Sequence, residues 1–330
     1  MRRARRILRT MLTGWLVAGL LAPPARAARL APETADAFDR YIRASEQRMD
    51  ADLRQGIFFA MDRLPEANRE QVYEQLRQGR LYLAERRTRE NGRSIPIPGG
   101  LVHDWAGVVF IPGTSLSQVA AVLENYEQAR NIYAPDVRRS ELRERRGNES
   151  RFSLQFFYKS LVTVAIDVDF DSVFTSLGGS RFQIDARSTR VAEVDHVGEP
   201  GEHELPVGDG HGYLWGLNTY WRAEQRDGGV YLQIEFIGLT RGVPFVLAWL
   251  VNPLLESIPR KILSDLLNAT RHAVQKAAAS GEASSAQPGP WPREGRAGRA
   301  RRTMAHSMFH NIRRRRTGRA LPLLAQAIAR

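Results

Sequence analysis

Few residues in this sequence have the type and spacing needed for chemistry. Of the seven histidines, five show no His-x-x-x-His or other paired spacing (His103, His196, His203, His211 and His272), and the chain contains no cysteine. The lack of cysteine excludes thiol nucleophiles, thiolate zinc sites and iron–sulfur clusters. No serine occurs in the sharp strand-to-helix context of a nucleophile elbow. We therefore predict no catalytic residue, no metal site and no cofactor.

Two glycine-rich or acidic loops are the remaining candidates for chemistry. Residues 208–212 read Gly-Asp-Gly-His-Gly, like a phosphate loop, but they precede a strand and so lack the helix N-terminus that binds phosphate. A turn or a mobile lid over a cavity mouth is the better interpretation. His196 and His203 lie in an acidic loop that is either a loose metal site or a solvated surface.

The charge of the chain is concentrated at its ends. The net charge of +12 would suggest a nucleic-acid binder if it were evenly spread. Residues 1–27 have six Arg and no acid, and residues 281–330 have eleven Arg and two Glu, so residues 28–280 have a net charge of −3. We therefore predict no specific nucleic-acid partner.

The first 27 residues have the pattern of a secretory signal peptide. Five arginines precede an apolar run from Met11 to Ala22, and Ala25-Arg26-Ala27 supplies the small residues of a cleavage site. The run is short for a bilayer span, which needs about 20 residues. We expect cleavage after Ala27 and a periplasmic or otherwise exported protein. An uncleaved membrane anchor is the alternative.

Residues 280–330 form a tail rich in Gly, Pro, Ala, Ser and Arg that includes four consecutive arginines, Arg313 to Arg316. Blocks of like charge repel one another and bury little apolar surface, so we predict a disordered tail. Electrostatic attachment to anionic lipid or nucleic acid is the alternative.

Residues 28–95 are predicted as a helical N-terminal segment. Apolar residues recur at helical spacing from Phe38 to Leu53, and Pro65 opens a second run that continues through Leu81. The Pro- and Gly-rich stretch at residues 96–100 marks the boundary that follows.

From Leu101 onward the pattern is that of strands. Leu101 to Ile111 reads as a strand, followed by a helix capped by Thr114 or Ser115 and a second short helical turn. About six strands with alternating apolar residues follow, and the last two are joined by a turn at Asp227-Gly228-Gly229. A long final helix has a broad apolar stripe that includes Leu263 and Leu267, with Asn252 or Ser257 as its cap. Such a stripe needs the buried face of the sheet as its partner.

This element order resembles the START-like (SRPBCC, helix-grip) superfamily, nearest in style to bacterial coenzyme-Q-binding and polyketide cyclase members. The resemblance covers residues 101–279 and includes Trp105, Ile111-Pro112-Gly113 and Tyr220-Trp221-Arg222. It implies an α+β fold in which a curved antiparallel sheet of about seven strands surrounds the C-terminal helix. It also implies an apolar cavity between the sheet and that helix.

The residues around Trp221 also favour a cavity, because large side chains occupy both faces of that strand. This is typical of a sheet that lines a cavity on one side and covers something on the other, although ordinary core and surface aromatics explain it too. A single bulge would reverse the alternation, so the faces stay unassigned. The candidates for cavity residues are Trp105, Tyr158, Arg187, Arg190, Asn218, Tyr220 and Glu235.

We expect a carrier or buffer of a lipid, sterol or quinone-like molecule, with transient membrane contact as a further expectation. One alternative is an aromatase/cyclase-type enzyme in which Tyr220, Arg187 or His103 would move protons. The other is a non-catalytic module that presents its N-terminal segment or its tail to a membrane or a protein.

Overall fold

The computed structural model describes residues 28–159, 163–242 and 245–280, and within these the side chains of residues 245–257 are left out of the description. The predicted signal peptide and the basic tail beyond Ser280 lie outside the described residues. Within the described residues no helix is long and apolar enough to cross a membrane.

The described chain contains thirteen strands, and nine of them form one antiparallel sheet. Their order across the sheet is β2-β5-β13-β12-β9-β8-β7-β6, with β10 paired to β9. Two small sheets, β1-β11 and β3-β4, complete the set. The bounds are β1 Ala28–Arg29, β2 Tyr82–Glu85, β3 Arg89–Glu90, β4 Arg93–Ser94, β5 Gly100–Pro112, β6 Val137–Arg146, β7 Glu149–Lys159, β8 Thr163–Ser176, β9 Arg181–Asp195, β10 His203–Glu204, β11 Asp209–Gly210, β12 Gly216–Arg226 and β13 Gly229–Arg241.

Five α-helices accompany these strands in the described part of the chain. They are α1 Pro32–Arg54, α2 Glu66–Arg77, α3 Leu116–Leu123, α4 Ala129–Ile132 and α5 Phe245–Ser280, with short 3-10 helices at Ala60–Arg63 and Tyr126–Gln128. Ser115, one of the two predicted caps, caps α3 through a capping box with Gln118. The turn between β12 and β13 places Asp227 and Gly228 at φ 55° and 72°, the left-handed pair that a tight hairpin turn requires.

The sheet has two faces, and each is covered by different helices. The inner face packs against α3 and α5, where Leu263 and Leu267 join the cluster of Val109 and Ile234. The outer face packs against α1, α2 and the 3-10 helix between them, where Phe58 joins the cluster that also contains Val108 and Tyr231. This arrangement confirms the predicted α+β helix-grip fold, with a helical N-terminal layer added on the outside.

The structure corrects the sequence prediction at two places. The helical pattern expected to continue through Leu81 ends at Arg77, because the chain turns at Gly79 (φ +87°) and enters β2, which pairs with β5. Helix α5 begins at Phe245, ahead of the predicted caps at Asn252 and Ser257, so Pro253 lies within the helix. The first error overlooks the turn signal of Gly79, and the second takes Asn252 or Ser257, which lie inside the helix, as its start.

Candidate functional site

The inner face of the sheet is lined by apolar side chains from six strands. Strand pairing fixes this face, because paired residues point the same way: Phe170 is opposite Phe152, and Ile234 is opposite Trp221. The buried members are Trp105, Val109, Ile111, Phe152, Ile166, Val168, Phe170, Phe182, Ile184, Ala186, Val191, Ala223, Val230, Leu232 and Ile234.

One part of the inner face is closed by direct contact with α5. Leu263, Leu267 and Val274 are almost fully buried on the side of the helix that faces the sheet. A Cβ atom placed on Gly107 of β5 would lie 2.7 Å from Leu267 Cδ1 and 2.8 Å from Leu263 Cγ. Helix and strand therefore touch here, and this contact leaves no space for a ligand.

Another part of the inner face is less completely covered. Five large apolar side chains there are only half-buried, although they point to the same side as the core: Leu154, Phe156, Leu217, Trp221 and Phe236. Since a filled core buries such side chains fully, the inner face retains accessible apolar surface beside the closed contact.

Exposed apolar side chains mark the rim of this region. Ile258 and Ile262 of α5 are 37% and 45% exposed, and Tyr158 at the end of β7 is 39% exposed. Tyr158 is near enough to this turn of the helix to contribute to the raised pKa of Lys261. The three side chains thus form an apolar rim between α5 and the end of β7.

His103 is the titratable side chain best placed for polar contact on the inner face. It lies opposite Gly238, and its Nε2 atom is 3.1 Å from Thr240 Oγ1, within hydrogen-bond distance. Burial lowers the pKa of His103, so the imidazole is neutral at pH 7. A neutral imidazole can donate one hydrogen bond and accept another.

The loop at residues 208–213 is fastened at one end of the inner face. Glu193 of β9 is buried, and its carboxylate accepts hydrogen bonds from the backbone N–H groups of His211 and Tyr213, each at 2.7 Å. The loop also pairs with the start of the described chain, where Ala28 is opposite Gly210. These contacts hold the segment that the sequence suggested as a turn or a mobile lid.

The structure divides the seven candidate cavity residues between the two faces. Trp105 lies on the inner face, and Tyr158 lies at its rim. Asn218, Tyr220 and Glu235 point to the outer face. Tyr220 is opposite Glu235 in the strand pairing and contacts Asn218. Tyr220 and Glu235 also contact α1, through Glu46 and Arg48.

Arg187 and Arg190 also lie on the outer face. Arg187 forms an ion pair with Glu46 of α1 at 2.7 Å, and Arg190 pairs with Glu204. A β-bulge between them keeps both on one side although they are three residues apart, because Ser188 and Arg190 are opposite the consecutive residues Phe170 and Asp169. A ligand contact by any of the seven candidates stays a prediction, and five of them do not face α5.

A buried polar layer occupies the outer face instead. Arg48 of α1 forms an ion pair with Glu235, and Tyr41 donates a hydrogen bond to Asp104 at 2.9 Å. Burial raises the pKa of Asp104 well above its ordinary value, and the neighbouring Glu235 raises it further. Arg222 donates a hydrogen bond to the carbonyl oxygen of Phe58 at 2.9 Å. The second face of β12 is therefore taken up by structural contacts with the N-terminal layer.

A surface groove of about 640 Å³ lies away from both of these regions. It is formed by α2 and the β12–β13 turn, and Glu70, Glu74, Arg77 and Arg226 contribute both charges to its lining. Its open, mixed-charge lining does not indicate a hydrophobic ligand. The described residues also contain no group of three His, Asp or Glu side chains placed to hold a metal ion.

No family model and no curated protein matches this sequence. Solved structures do match. A STAR-related lipid transfer protein from Xanthomonas axonopodis is 16% identical, with a TM-score of 0.39 over 58% of this chain and 98% of that one. The Zhui aromatase/cyclase from Streptomyces sp. R1128 is 14% identical, with a TM-score of 0.38 over 55% and 99%.

Human STARD10 is 12% identical, with a TM-score of 0.40 over 69% of this chain and 87% of that one. The chain is similar to START-like proteins. The similarity is of low identity and concerns the fold, so it does not identify a ligand.

The sequence alone did not single out the half-buried side chains Phe156, Leu217 and Phe236 as candidate site residues. Their alternation with polar neighbours was visible, and it placed each of them on one face of its strand. It did not say which face meets α5, because that depends on the pairing of strands far apart in the chain. Polar residues were selected as candidates, and most of these turned out to serve the outer face.

Proposed function

We propose that this protein is exported and binds a hydrophobic small molecule between the inner face of the sheet and α5, as a carrier or buffer. The observation that carries this proposal is the set of five half-buried apolar side chains beside the closed contact at Gly107. Apolar ligand surface removed from water would supply affinity at about 25 cal/mol per Å². A lipid, a sterol or a quinone-like molecule has surface of this kind.

Entry of the ligand is proposed at the rim beside α5. Tyr158, Ile258 and Ile262 offer exposed apolar surface there. The other route that the sequence offers is the loop from Gly198 to Gly212, whose end is fastened by Glu193. Opening near α5 breaks fewer hydrogen bonds of the described residues, so it is the preferred route.

Export is proposed from the signal-like N-terminus. The arginines that precede the apolar run from Met11 to Ala22, and the small residues Ala25 and Ala27 after it, support this proposal. N-terminal sequencing of the protein recovered from the periplasm tests this. A chain that begins at Ala28 supports export with cleavage, whereas an intact Met1 end in a membrane fraction supports the uncleaved anchor.

Ligand binding is tested first on the purified protein. Native mass spectrometry and solvent extraction should recover a co-purifying hydrophobic molecule, and the neutral dye N-phenyl-1-naphthylamine should gain fluorescence on binding. A protein that is empty on recovery and that fails to bind the dye or any lipid of a panel would contradict the proposal.

Two adjacent phenylalanines provide a matched pair for locating the site. Phe156 lies on the inner face, while Phe157 lies on the outer face under Arg138. Phe156→Ala should lower dye affinity by about tenfold, since it removes apolar contact area from the site. Phe157→Ala should leave dye affinity unchanged. Equal effects of the two substitutions would place the dye elsewhere.

An aromatase/cyclase-type activity is the second candidate function, and the position of one residue, His103, favours it. Of the three groups considered for proton transfer, His103 lies on the inner face, while Arg187 and Tyr220 bond to Glu46 on the outer face. His103→Gln should abolish any turnover of a bound polyketide without loss of ligand binding. Turnover that survives this substitution removes the enzyme hypothesis in this form.

Transient membrane contact is proposed at the same rim, where Lys159 and Lys261 accompany the exposed apolar side chains. Co-sedimentation with vesicles that contain phosphatidylglycerol should be reduced by Ile262→Asp. Deletion of residues 281–330 separates the rim from the basic tail, because binding that depends on the tail alone disappears with it.

A further inference from the structure

The inner face offers no positive charge to a ligand over most of its area. Among the described residues, β5, β7, β8, β9, β12 and β13 place no Arg or Lys on this face. Strand β6 contributes Arg145, which lies at the sheet edge and is paired with Glu124 of the adjoining turn. The buried stripe of α5, which includes Leu263, Leu267 and Thr270, is uncharged.

The arginines of the central strands all point the other way. Arg187 and Arg190 are paired with Glu46 and Glu204, and Arg222 is bonded to backbone carbonyl groups under α1. These three residues are the ones that could have held an acidic head group if they had faced α5. The strand register prevents this.

The undescribed side chains between Ala28 and Ser280 cannot supply a cation either. Residues 160–162 are Ser-Leu-Val, and residues 243–257 contain a single charged residue, Glu256. Whichever way these side chains point, they add no positive charge to the site. This conclusion follows from composition alone.

Charges near the site are located at its margin or are already engaged. Glu193 is bound to the backbone of the 208–213 loop, and Lys261 is paired with Asp265. Arg260 is solvent-exposed and lies over the ring of Trp105 at 5.6 Å. An anion buried deeper than this rim would lack a cationic partner, and a cation would find Glu193 of the described sheet already bound to the loop, at a cost of several kcal/mol.

We infer that the ligand held by the inner face is uncharged, a lipid-like molecule whose polar part is limited to hydroxyl or carbonyl groups. This inference rests on the proposed function. His103 and Thr240 provide one place at which such a group can exchange hydrogen bonds. Neutral sterols, isoprenoid alcohols and quinones have this chemistry, whereas fatty acids and phospholipids carry a charge.

The test uses displacement of N-phenyl-1-naphthylamine from the full chain at pH 7.5 by three probes of equal chain length. Dodecan-1-ol should displace the dye at a concentration at least about tenfold lower than either dodecanoate or dodecylammonium. Displacement by dodecanoate or dodecylammonium at concentrations as low as those of the alcohol would overturn the inference. Failure of the dye itself to bind would instead overturn the proposed function.

Charge variants distinguish selection by the site from the greater water solubility of ions. Thr219 is half-buried on the inner face, opposite Phe236, and Thr189 is exposed at the bulge of β9. The ratio of interest is that of the dodecanoate and dodecan-1-ol concentrations needed to displace the dye. Thr219→Lys should shift this ratio in favour of dodecanoate by about tenfold, because it supplies the missing counter-charge. Thr189→Lys should leave the ratio unchanged. An unchanged ratio in a folded Thr219→Lys variant would contradict the inference.

Arg260 supplies a second measurement that does not depend on a buried substitution. Because this side chain is exposed, Arg260→Gln should fold normally. The preference for the alcohol should persist in this variant. If the native chain binds dodecanoate strongly and Arg260→Gln markedly weakens that binding, an anionic head group lies at the rim. That result would overturn the inference.

Discussion

The two faces of the sheet differ in how their side chains are satisfied. On the outer face, charged residues such as Arg48, Glu235 and Arg222 are buried together under α1 and have partners. On the inner face, apolar residues predominate, and several of them, such as Phe156 and Trp221, are only half-buried. The comparison teaches that polar residues within a sheet do not by themselves indicate a ligand site. Here the polar face is structural, and the apolar face has surface to offer a ligand.

The largest effect should come from breaking the outer polar layer. Arg48→Ala would leave Glu235 buried without its cation, and removal of one partner from a buried ion pair costs about 3–5 kcal/mol of unfolding free energy. Urea denaturation measures the loss. The exposed Arg43 of the same helix is the control, and Arg43→Ala should change stability by less than about 0.5 kcal/mol. Equal losses in the two variants would show that the buried polar layer does not stabilise the fold.

The next effect concerns the closed part of the inner face. Gly107→Ala forces a Cβ atom into Leu263 and Leu267, and such overpacking costs about 1–3 kcal/mol. Gly238→Ala on the neighbouring strand is the matched control, because the nearest side-chain atom would be 3.7 Å from its Cβ. Thermal unfolding should separate the two variants clearly. A stable Gly107→Ala protein would mean that α5 is not held against β5.

The third prediction uses pH to probe the outer layer. Burial raises the pKa of Asp104, so the folded protein retains a proton that the unfolded chain loses near pH 4. The free energy of unfolding then falls as pH rises between the two pKa values, by up to about 1.4 kcal/mol per pH unit. Asp104→Asn removes this dependence, so the stability of the variant relative to the native protein should rise with pH above about 4.

Denaturation midpoints measured from pH 4 to pH 8 check this prediction. The exposed Asp36→Asn variant in α1 serves as the control, and its difference from the native protein should stay small throughout. A constant difference between Asp104→Asn and the native protein would show that Asp104 ionises normally in the fold.

The smallest effect is expected at Arg190, which the sequence offered as a cavity residue. It lies on the outer face, and its pair with Glu204 is partly exposed, so Arg190→Ala should cost less than about 1 kcal/mol. Dye binding should be unchanged. A weaker dye affinity in a variant of normal stability would return Arg190 to the site and would weaken the distinction between the two faces.

The fold was largely predictable because its signals are local. Thr114 and Ser115 marked the start of α3, Asp227 and Gly228 marked the last hairpin, and alternation marked most of the strands. The predictions failed at Tyr82, which pairs with Val108 of β5, and at the start of α5, where Pro253 lies within the helix.

The candidate site was harder to predict, and Tyr220 and Trp221 illustrate the reason. Their adjacency required that they point to opposite faces, and both carry large rings that suit a buried position. Nothing local to them says that Tyr220 meets Glu46 of α1 while Trp221 faces the side of α5. That assignment depends on a partner helix about 170 residues earlier in the chain.

By itself the sequence determined the signal-like and basic ends, the order of helices and strands, and the absence of cations from residues 243–257. These properties are compositional or periodic, so they are readable without contacts. The tertiary structure decided which face meets α5, because long-range strand register and the bulge between Arg187 and Arg190 set the direction of every side chain beyond them. It also decided that α1 takes the polar face, since only packing brings Arg48 and Glu46 onto β13, β12 and β9.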